Sequence, residues 1–248
     1  MSLPRTACML AGMALTLTWA THALAYRPFD GTDADVAAPR ELELEAGPLG
    51  YVHEGAAHFL VAPALVLDYG LAPKFEAVLE GQQLWGLASA PLWALADVAL
   101  SLKTLLREGS LQDKSGVSVA LETGMLLPGS ERRFGFHIAS IFSWRWPALA
   151  LHLNIGNDVL TSVDYAASTS LILEGPDSWR VRPVAEVFLE RDFGSPEFAD
   201  GLARSVLVGV ILSASAAWSF DLGLRHGQVD GEPLGEARLG FTWSWATE

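Results

Sequence analysis

Ionisable side chains in this sequence recur at every second position and do not gather into compact clusters. Glu41, Glu43 and Glu45 alternate with Leu42, Leu44 and Ala46, and Asp97, Ala99, Ser101 and Lys103 alternate with Val98, Leu100, Leu102 and Thr104. His152 and Asn154 alternate in the same way with Leu151, Leu153 and Ile155. Groups spaced like this line one face of a strand, where rows of acidic and basic side chains can orient a solute moving past them.

Catalysis and metal binding make different demands, which the sequence meets poorly. Nucleophilic catalysis needs a nucleophile and a base within hydrogen-bond reach and a third group to orient the base. His152 and Asn154 share a face, with Ser140, Ser143, Ser168 and Ser170 on neighbouring strands, but no Gly-x-Ser-x-Gly elbow is present. An enzyme is therefore not expected, and a barrel enzyme acting on lipid stays as the lesser alternative. Beyond the first 25 residues the histidines stand at 53, 58, 137, 152 and 226, far apart and with no thiolate among them; only His53 and His58, flanking one hairpin, could meet at a surface metal. No metal site and no cofactor is predicted.

The elements that must carry these rows are strands. From residue 40 onward the dominant period is two, the signature of one apolar and one polar face. Such runs occur near 40–53, 58–69, 73–83, 96–106, 117–127, 134–146, 148–156, 164–174, 179–190, 203–213, 217–226 and 234–245. Twelve is an even number, and the lengths suit tilted strands that cross a bilayer. The spacing predicts an all-β fold, a transmembrane antiparallel up-and-down barrel of about twelve strands over residues 40–245.

Turns after even-numbered strands are short, around 70–72, 147, 175–178 and 214–216, as expected at a periplasmic end. The alternate connections at 83–95, 157–163, 191–202 and 227–233 are predicted to be longer external loops. The polar stretch 107–116 is too long for this scheme, and 84–95 reads equally as loop, short helix or strand. Aromatic residues sit at strand ends: Trp144, Trp146, Trp179, Trp218, and Phe241, Trp243 and Trp245 on one face of the last strand. They are expected at the membrane interface.

The first 25 residues hold one charge, Arg5, then an apolar run from Ala7 to Trp19 and the small-residue triplet Ala23-Leu24-Ala25. This is the pattern of a cleaved secretory signal peptide, with export to the outer membrane of a Gram-negative cell. Cleavage there would remove the only cysteine, Cys8, and one positive charge, taking the formal charge from -13 to -14. So acidic a chain will not bind nucleic acid unaided. Half of it is apolar and its mean hydropathy is +0.27, high for a soluble protein and low for a helical membrane protein. Residues 26–39, acidic and rich in small side chains, are expected to form a flexible periplasmic leader. Folding into the lumen as a plug, with Arg27 against an acidic wall, is the alternative.

In a barrel the polar rows face inward, because lipid-facing charge is costly. The predicted lumen then holds the carboxylates Glu43, Glu45, Asp68, Glu76, Glu80, Asp97, Glu122, Glu186, Asp221 and Glu236. Against them stand Lys103, Arg145, Arg180, Arg182, Arg225 and Arg238, with His137, His152 and Asn154 as polar neutrals. Such a lumen is either an ion-lined path or a solid filling of salt bridges.

The stretch DGTDADVAAPRELELEAGPLGYVHEG after Arg27, the stretches ADVALSLKTLL and VSVALETGMLLP, and LALHLNIGN and GEARLGFTWSW together resemble outer-membrane transporters of the MetA-pathway-of-phenol-degradation type. The resemblance covers most of residues 26–245. It departs from the family pattern at Pro39-Arg40, where a glycine is expected, and at the end, three residues beyond Trp245. What it implies is a channel for small, hydrophobic or aromatic solutes. The alternative is a closed structural or partner-binding barrel. Expected partners are outer-membrane lipid, a small-molecule solute and the barrel-insertion machinery, which would read the C-terminal strand.

Overall fold

A computed structural model describes residues 27–87, 92–129, 134–160, 165–193 and 201–247. The expected signal peptide, residues 1–25, lies outside the described residues. Twelve strands form: β1 (Glu41–Glu54), β2 (Ala57–Ala72), β3 (Phe75–Gly86), β4 (Trp93–Arg107), β5 (Ser118–Leu126) and β6 (Gly135–Trp146), then β7 (Leu149–Leu160), β8 (Tyr165–Glu174), β9 (Val181–Phe193), β10 (Leu202–Ser213), β11 (Trp218–Val229) and β12 (Glu232–Ala246). Each pairs antiparallel with its sequence neighbours, and β1 closes on β12 from Glu41↔Ala246 to Glu54↔Leu234. Closure leaves no unpaired edge, the condition for backbone to survive in hydrocarbon.

The two faces are inverted relative to a soluble sandwich. Leu222 is 46% exposed while its neighbour Asp221 is 3% exposed, and Leu102 is 38% exposed beside Lys103 at 2%. Apolar side chains point outward all around the barrel, and the charged ones are enclosed. That arrangement is stable only where lipid replaces water outside. Two aromatic girdles bound the apolar belt. At the end where β1 starts and β12 finishes, here the proximal end, lie Trp146, Trp179, Trp218, Trp243 and Trp245; at the distal end lie Tyr51, Trp85, Trp93, Tyr165 and Phe193. Trp218 stacks on Trp243 (ring centroids 5.2 Å, 10° between planes), and Trp243 on Trp245 at 4.2 Å.

The structure corrects the sequence reading in three places. The distal connections are shorter than predicted, because the strands run on past the apolar belt as hydrogen-bonded ladders that hydropathy does not mark: β7 reaches Leu160 and β9 reaches Phe193. The expected loop 227–233 is a tight turn at Asp230-Gly231, both with positive φ (52° and 86°), the geometry that matches strand twist in two-residue hairpins. Second, the region 84–95 divides into the end of β3 and the start of β4, with 88–91 outside the described residues.

Third, β4 is not one unbroken dyad. Ala94 is buried, and so are Ala99, Ser101 and Lys103, so the inward parity changes between residues 94 and 99. The change coincides with an irregular register opposite Glu80–Gln82, and Asp97 there has φ 52°. A bulge of one residue re-aims the strand. Asp97 accepts a hydrogen bond from Gln82 Nε2 at 2.6 Å.

The long proximal connection between β4 and β5 is also accounted for. Its short 3-10 turn, Ser110–Gln112, folds back against the barrel mouth and buries Leu111 with Ala34, Ala120 and Ile141. Arg145 pins it from β6, donating from Nη2 to the carbonyls of Ser110 (3.1 Å) and Leu111 (2.7 Å).

Candidate functional site

Residues 27–39, expected as a flexible strap, lie inside the barrel. From Arg40, whose N–H donates to the Gly70 carbonyl at 2.8 Å, the leader turns inward and crosses the lumen in contact with one wall strand after another. The Ala37 N–H donates to Glu76 on β3, and Lys103 on β4 donates to Thr32 Oγ1 at 3.2 Å. The Ala34 N–H donates to Ser143 Oγ on β6 at 2.9 Å. Asn154 on β7 clamps Thr32 from both sides, accepting from its N–H at 3.1 Å and donating to its carbonyl at 2.8 Å. Glu186 on β9 accepts from the N–H groups of Gly31 (2.9 Å) and Asp30 (3.1 Å). Backbone donors of an irregular segment cannot be left bare in an enclosed space, and here wall side chains satisfy them.

The wall is shaped to receive this segment. A Cβ on Gly70 would collide with the Ala38 carbonyl, on Gly223 with Pro28, and on Gly47 or Gly240 with the Arg27 guanidinium. Phe29 enters an inner apolar patch of Ile172, Val184, Leu207 and Ile211, and Ala34 is fully buried in a second patch. Burial of these side chains adds a non-directional term of about 25 cal/mol per Å² of apolar surface to the polar contacts.

An arginine clasp holds the far end. Asp30 pairs with Arg238 on β12 at 2.7 Å and with Arg225 on β11. Arg238 also donates to the Pro28 carbonyl at 2.8 Å. Arg225 reaches Glu186 at 3.2 Å and Glu236 at 3.3 Å, and Arg27 lies 3.6 Å from Asp221. Burial pushes the Asp30 carboxyl up, but Arg238 and Arg225 more than reverse this and bring it from 3.8 to about 2. Asp35, nearer the proximal end, moves the other way: burial and the neighbouring Asp33 raise it, against a hydrogen bond from Gln112.

What the leader does not fill is a cavity of about 390 Å³ on the opposite side of the lumen. Its lining runs from Ala38 and Glu41 at the proximal rim to His137 and Ser168 toward the distal end. Among the described residues it presents nine carboxylates against one lysine, Lys103, which sits 3.7 Å from Glu76. Carboxylate oxygens of Glu43, Glu45 and Asp68 lie within 4.8 Å of one another.

The predicted lumen residues therefore fall into separate groups. Glu43, Glu45, Asp68, Glu76, Glu80, Glu122, Lys103, His137 and Asn154 line the cavity. Glu186, Asp221, Arg225, Glu236 and Arg238 belong to the clasp. Arg182 pairs with Glu174 at 3.3 Å. Arg145 serves the proximal turn, and Asp97 occupies the bulge; neither lines the cavity.

One constellation has the connectivity of a hydrolase. Ser143 Oγ lies 2.8 Å from His152 Nδ1, and His152 Nε2 lies 3.5 Å from Glu174 Oε1. The three groups follow in the order of a catalytic triad, but with the ring nitrogens exchanged, serine at Nδ1, and with His152 Nε2 making no hydrogen bond. However, Ser143 is fully buried, and its hydroxyl already accepts the Ala34 N–H from the leader. With the leader docked, Ser143 is closed off from the lumen. At the surface, His53 and His58 face each other across β1 and β2, with the Tyr51 hydroxyl 2.7 Å from His58 Nδ1.

Sequence reasoning passed over Phe29, Asp30, Thr32 and Ala34. A signal for them existed on β10, where Leu207 and Ile211 are apolar at inward positions; inward apolar residues in a polar lumen need a cover.

No family model and no curated protein matches this chain. Solved structures do. The COG4313 outer-membrane channel from Pseudomonas putida F1 superposes with a TM-score of 0.67 at 10% identity, over 88% of this chain and 100% of that one. The NanC porin does so at 0.60 and 9% identity (82% and 98% covered), and the KdgM porin at 0.53 and 11% identity (82% and 99%). At such identities the likeness is one of fold, a twelve-stranded outer-membrane-type barrel.

Proposed function

We infer that the chain is an outer-membrane channel for small solutes, with the passage running along the acidic side of the lumen beside the docked leader. The observation that carries this reading is the cavity of about 390 Å³ lined by ionisable groups. A barrel that serves only as a scaffold has no need of such a space, and its volume lies within the roughly 300–1,000 Å³ typical of small-molecule sites. The similar folds named above, two of them porins and one a channel, support it. The hydrophobic or aromatic solutes that the family resemblance implies are not what this lining favours, since carboxylates hold water and polar groups more readily than apolar rings.

In this reading the chain reaches the outer membrane by a signal peptide, the proximal end faces the periplasm, and β12 with Phe241, Trp243 and Trp245 is what the insertion machinery reads. The inward-facing trio around His152 supports the fold, and no catalytic role is assigned to it.

The extent of leader burial favours one rival, a closed barrel whose leader is permanent filling. Liposome swelling separates the two. Proteoliposomes in an isotonic small neutral solute such as glycine should swell, and faster when Gly223→Leu displaces Pro28. Folded protein that gives no swelling in either form identifies the closed barrel.

A further inference from the structure

The two sides of the lumen differ in how their charges are matched: β8 to β12 pair their arginines with Glu174, Glu186 and Glu236, whereas β1 to β5 leave an excess of carboxylates. The inner wall of β1 to β5 carries Glu43, Glu45, Asp68, Glu76 and Glu122 around Lys103, whereas β9, β11 and β12 contribute Arg182, Arg225 and Arg238. The end of the leader from Arg27 to Gly31 lies against the second group, while Thr32 and Ala37 touch Lys103 and Glu76 of the first. Asp30 engages both Arg225 and Arg238, the Pro28 carbonyl takes a further donor of Arg238, and Glu186 and Glu236 complete the partners of Arg225. Arg182 is matched by Glu174.

Resting on the channel reading above, we propose that the docked leader sets the charge selectivity of the lumen: by occupying its arginine side, it confines passage to the carboxylate side and makes the path one for small cations. Three observations converge. The arginines that would attract an anion are covered by leader atoms or engaged by carboxylates. The remaining cavity presents nine carboxylates to one lysine, and two of the nine, Asp30 and Asp35, come from the leader itself. The oxygens of Glu43, Glu45 and Asp68 crowd within 4.8 Å in a space of low dielectric, where like charges repel strongly and a cation moving between them relieves that repulsion. An anion on the same route gains nothing from the wall and meets this repulsion.

The leader thus acts as more than an obstruction. Without it, Arg225 and Arg238 would lose Asp30 and the Pro28 carbonyl, keep only Glu186 and Glu236 as carboxylate partners, and become reachable by an anion. With it, they are covered. The candidate solutes are small monovalent or divalent cations, including protonated amines narrow enough for the cavity.

The test is the reversal potential of the full-length chain in a planar bilayer under a KCl gradient, with folding checked by gel mobility before and after heating. The native protein should reverse on the potassium side. Asp30→Ala, which removes the leader's carboxylate from both arginines and one of the nine from the cavity, and Gly223→Leu, which displaces the leader sterically and leaves every charge in place, should each shift the reversal potential toward chloride. Glu43→Gln with Asp68→Asn should shift it the same way with the leader still docked. A conducting native protein that prefers chloride overturns the proposal and leaves the channel reading standing. So does a cation preference that neither leader variant alters. A folded, inserted protein that passes no current in any form removes the channel reading, and the proposal with it.

Discussion

Asp30, eleven residues before the first strand residue Glu41, lies 2.7 Å from Arg238 on the last strand, so the segment that precedes the barrel is tied to the strand that closes it. Arg238 reaches it from the inward face of a strand whose partner is β1, so leader and barrel closure share one contact.

Replacement of Asp30 by Asn should loosen the leader without dissolving the barrel. The charge-assisted bonds to Arg238 and Arg225 are lost, at roughly 1.5–3 kcal/mol for each such bond. Proteinase K should then nick residues 30–38 in the folded protein at a rate at least tenfold above native. Equal resistance in the two proteins would mean that the apolar contacts of Phe29 and Ala34 hold the segment by themselves.

Acid should have a related effect through the same residue. The Asp30 carboxyl titrates at about 2 in the docked state, below its ordinary 3.8. Its contribution to docking is thus complete above about pH 4 and is lost as pH falls toward 2. Asp35 is raised, so its ionisation weakens docking as pH rises above its ordinary range. Amide exchange at Gly31 and Ala34, compared between native protein and Asp30→Asn, should differ by a constant factor from pH 7 to pH 5 and converge below about pH 4. Convergence already at pH 6 would contradict the clasp.

The proximal tryptophans should carry measurable stability. Trp243 stacks on both Trp218 and Trp245, and such pairs contribute about 0.5–1.5 kcal/mol beyond the area they bury. Trp243→Ala should lower the urea midpoint of the barrel in lipid vesicles, whereas an unchanged midpoint would show that these rings merely mark the interface.

Ser143 separates filling from catalysis. With Ser143→Ala, the Ala34 N–H and His152 lose a partner, at about 1–3 kcal/mol for a buried group left unsatisfied. The expected result is lower stability and, in the native protein, no ester hydrolysis above background. Turnover that disappears in this variant would restore the enzyme alternative.

Most of the wall was legible because a barrel in lipid writes its two environments directly onto alternate residues. The pair Asp221 and Leu222 declares its faces by type alone. The bulge at Asp97 was not legible, since one extra residue flips parity without altering composition. The turn at Asp230-Gly231 carried a recognisable hairpin dipeptide that a count of apolar alternation passed over. The site was legible only in part. Which charges face inward follows from the period, but which of them the leader covers depends on contacts between residues 27–39 and distant strand residues, among them Ala37 with Glu76 and Pro28 with Arg238, 39 and 210 positions apart. A short segment of small and acidic residues has no period of its own to indicate where it docks.

The central claim, that the lumen beside the leader is a passage, is tested most directly by single-channel recording of the purified, refolded protein in a planar bilayer. Small discrete current steps that grow when Asp30→Asn or Gly223→Leu loosens the leader are the predicted result. Folded and inserted protein that stays silent, with the leader docked or displaced, would contradict it and identify a solid barrel.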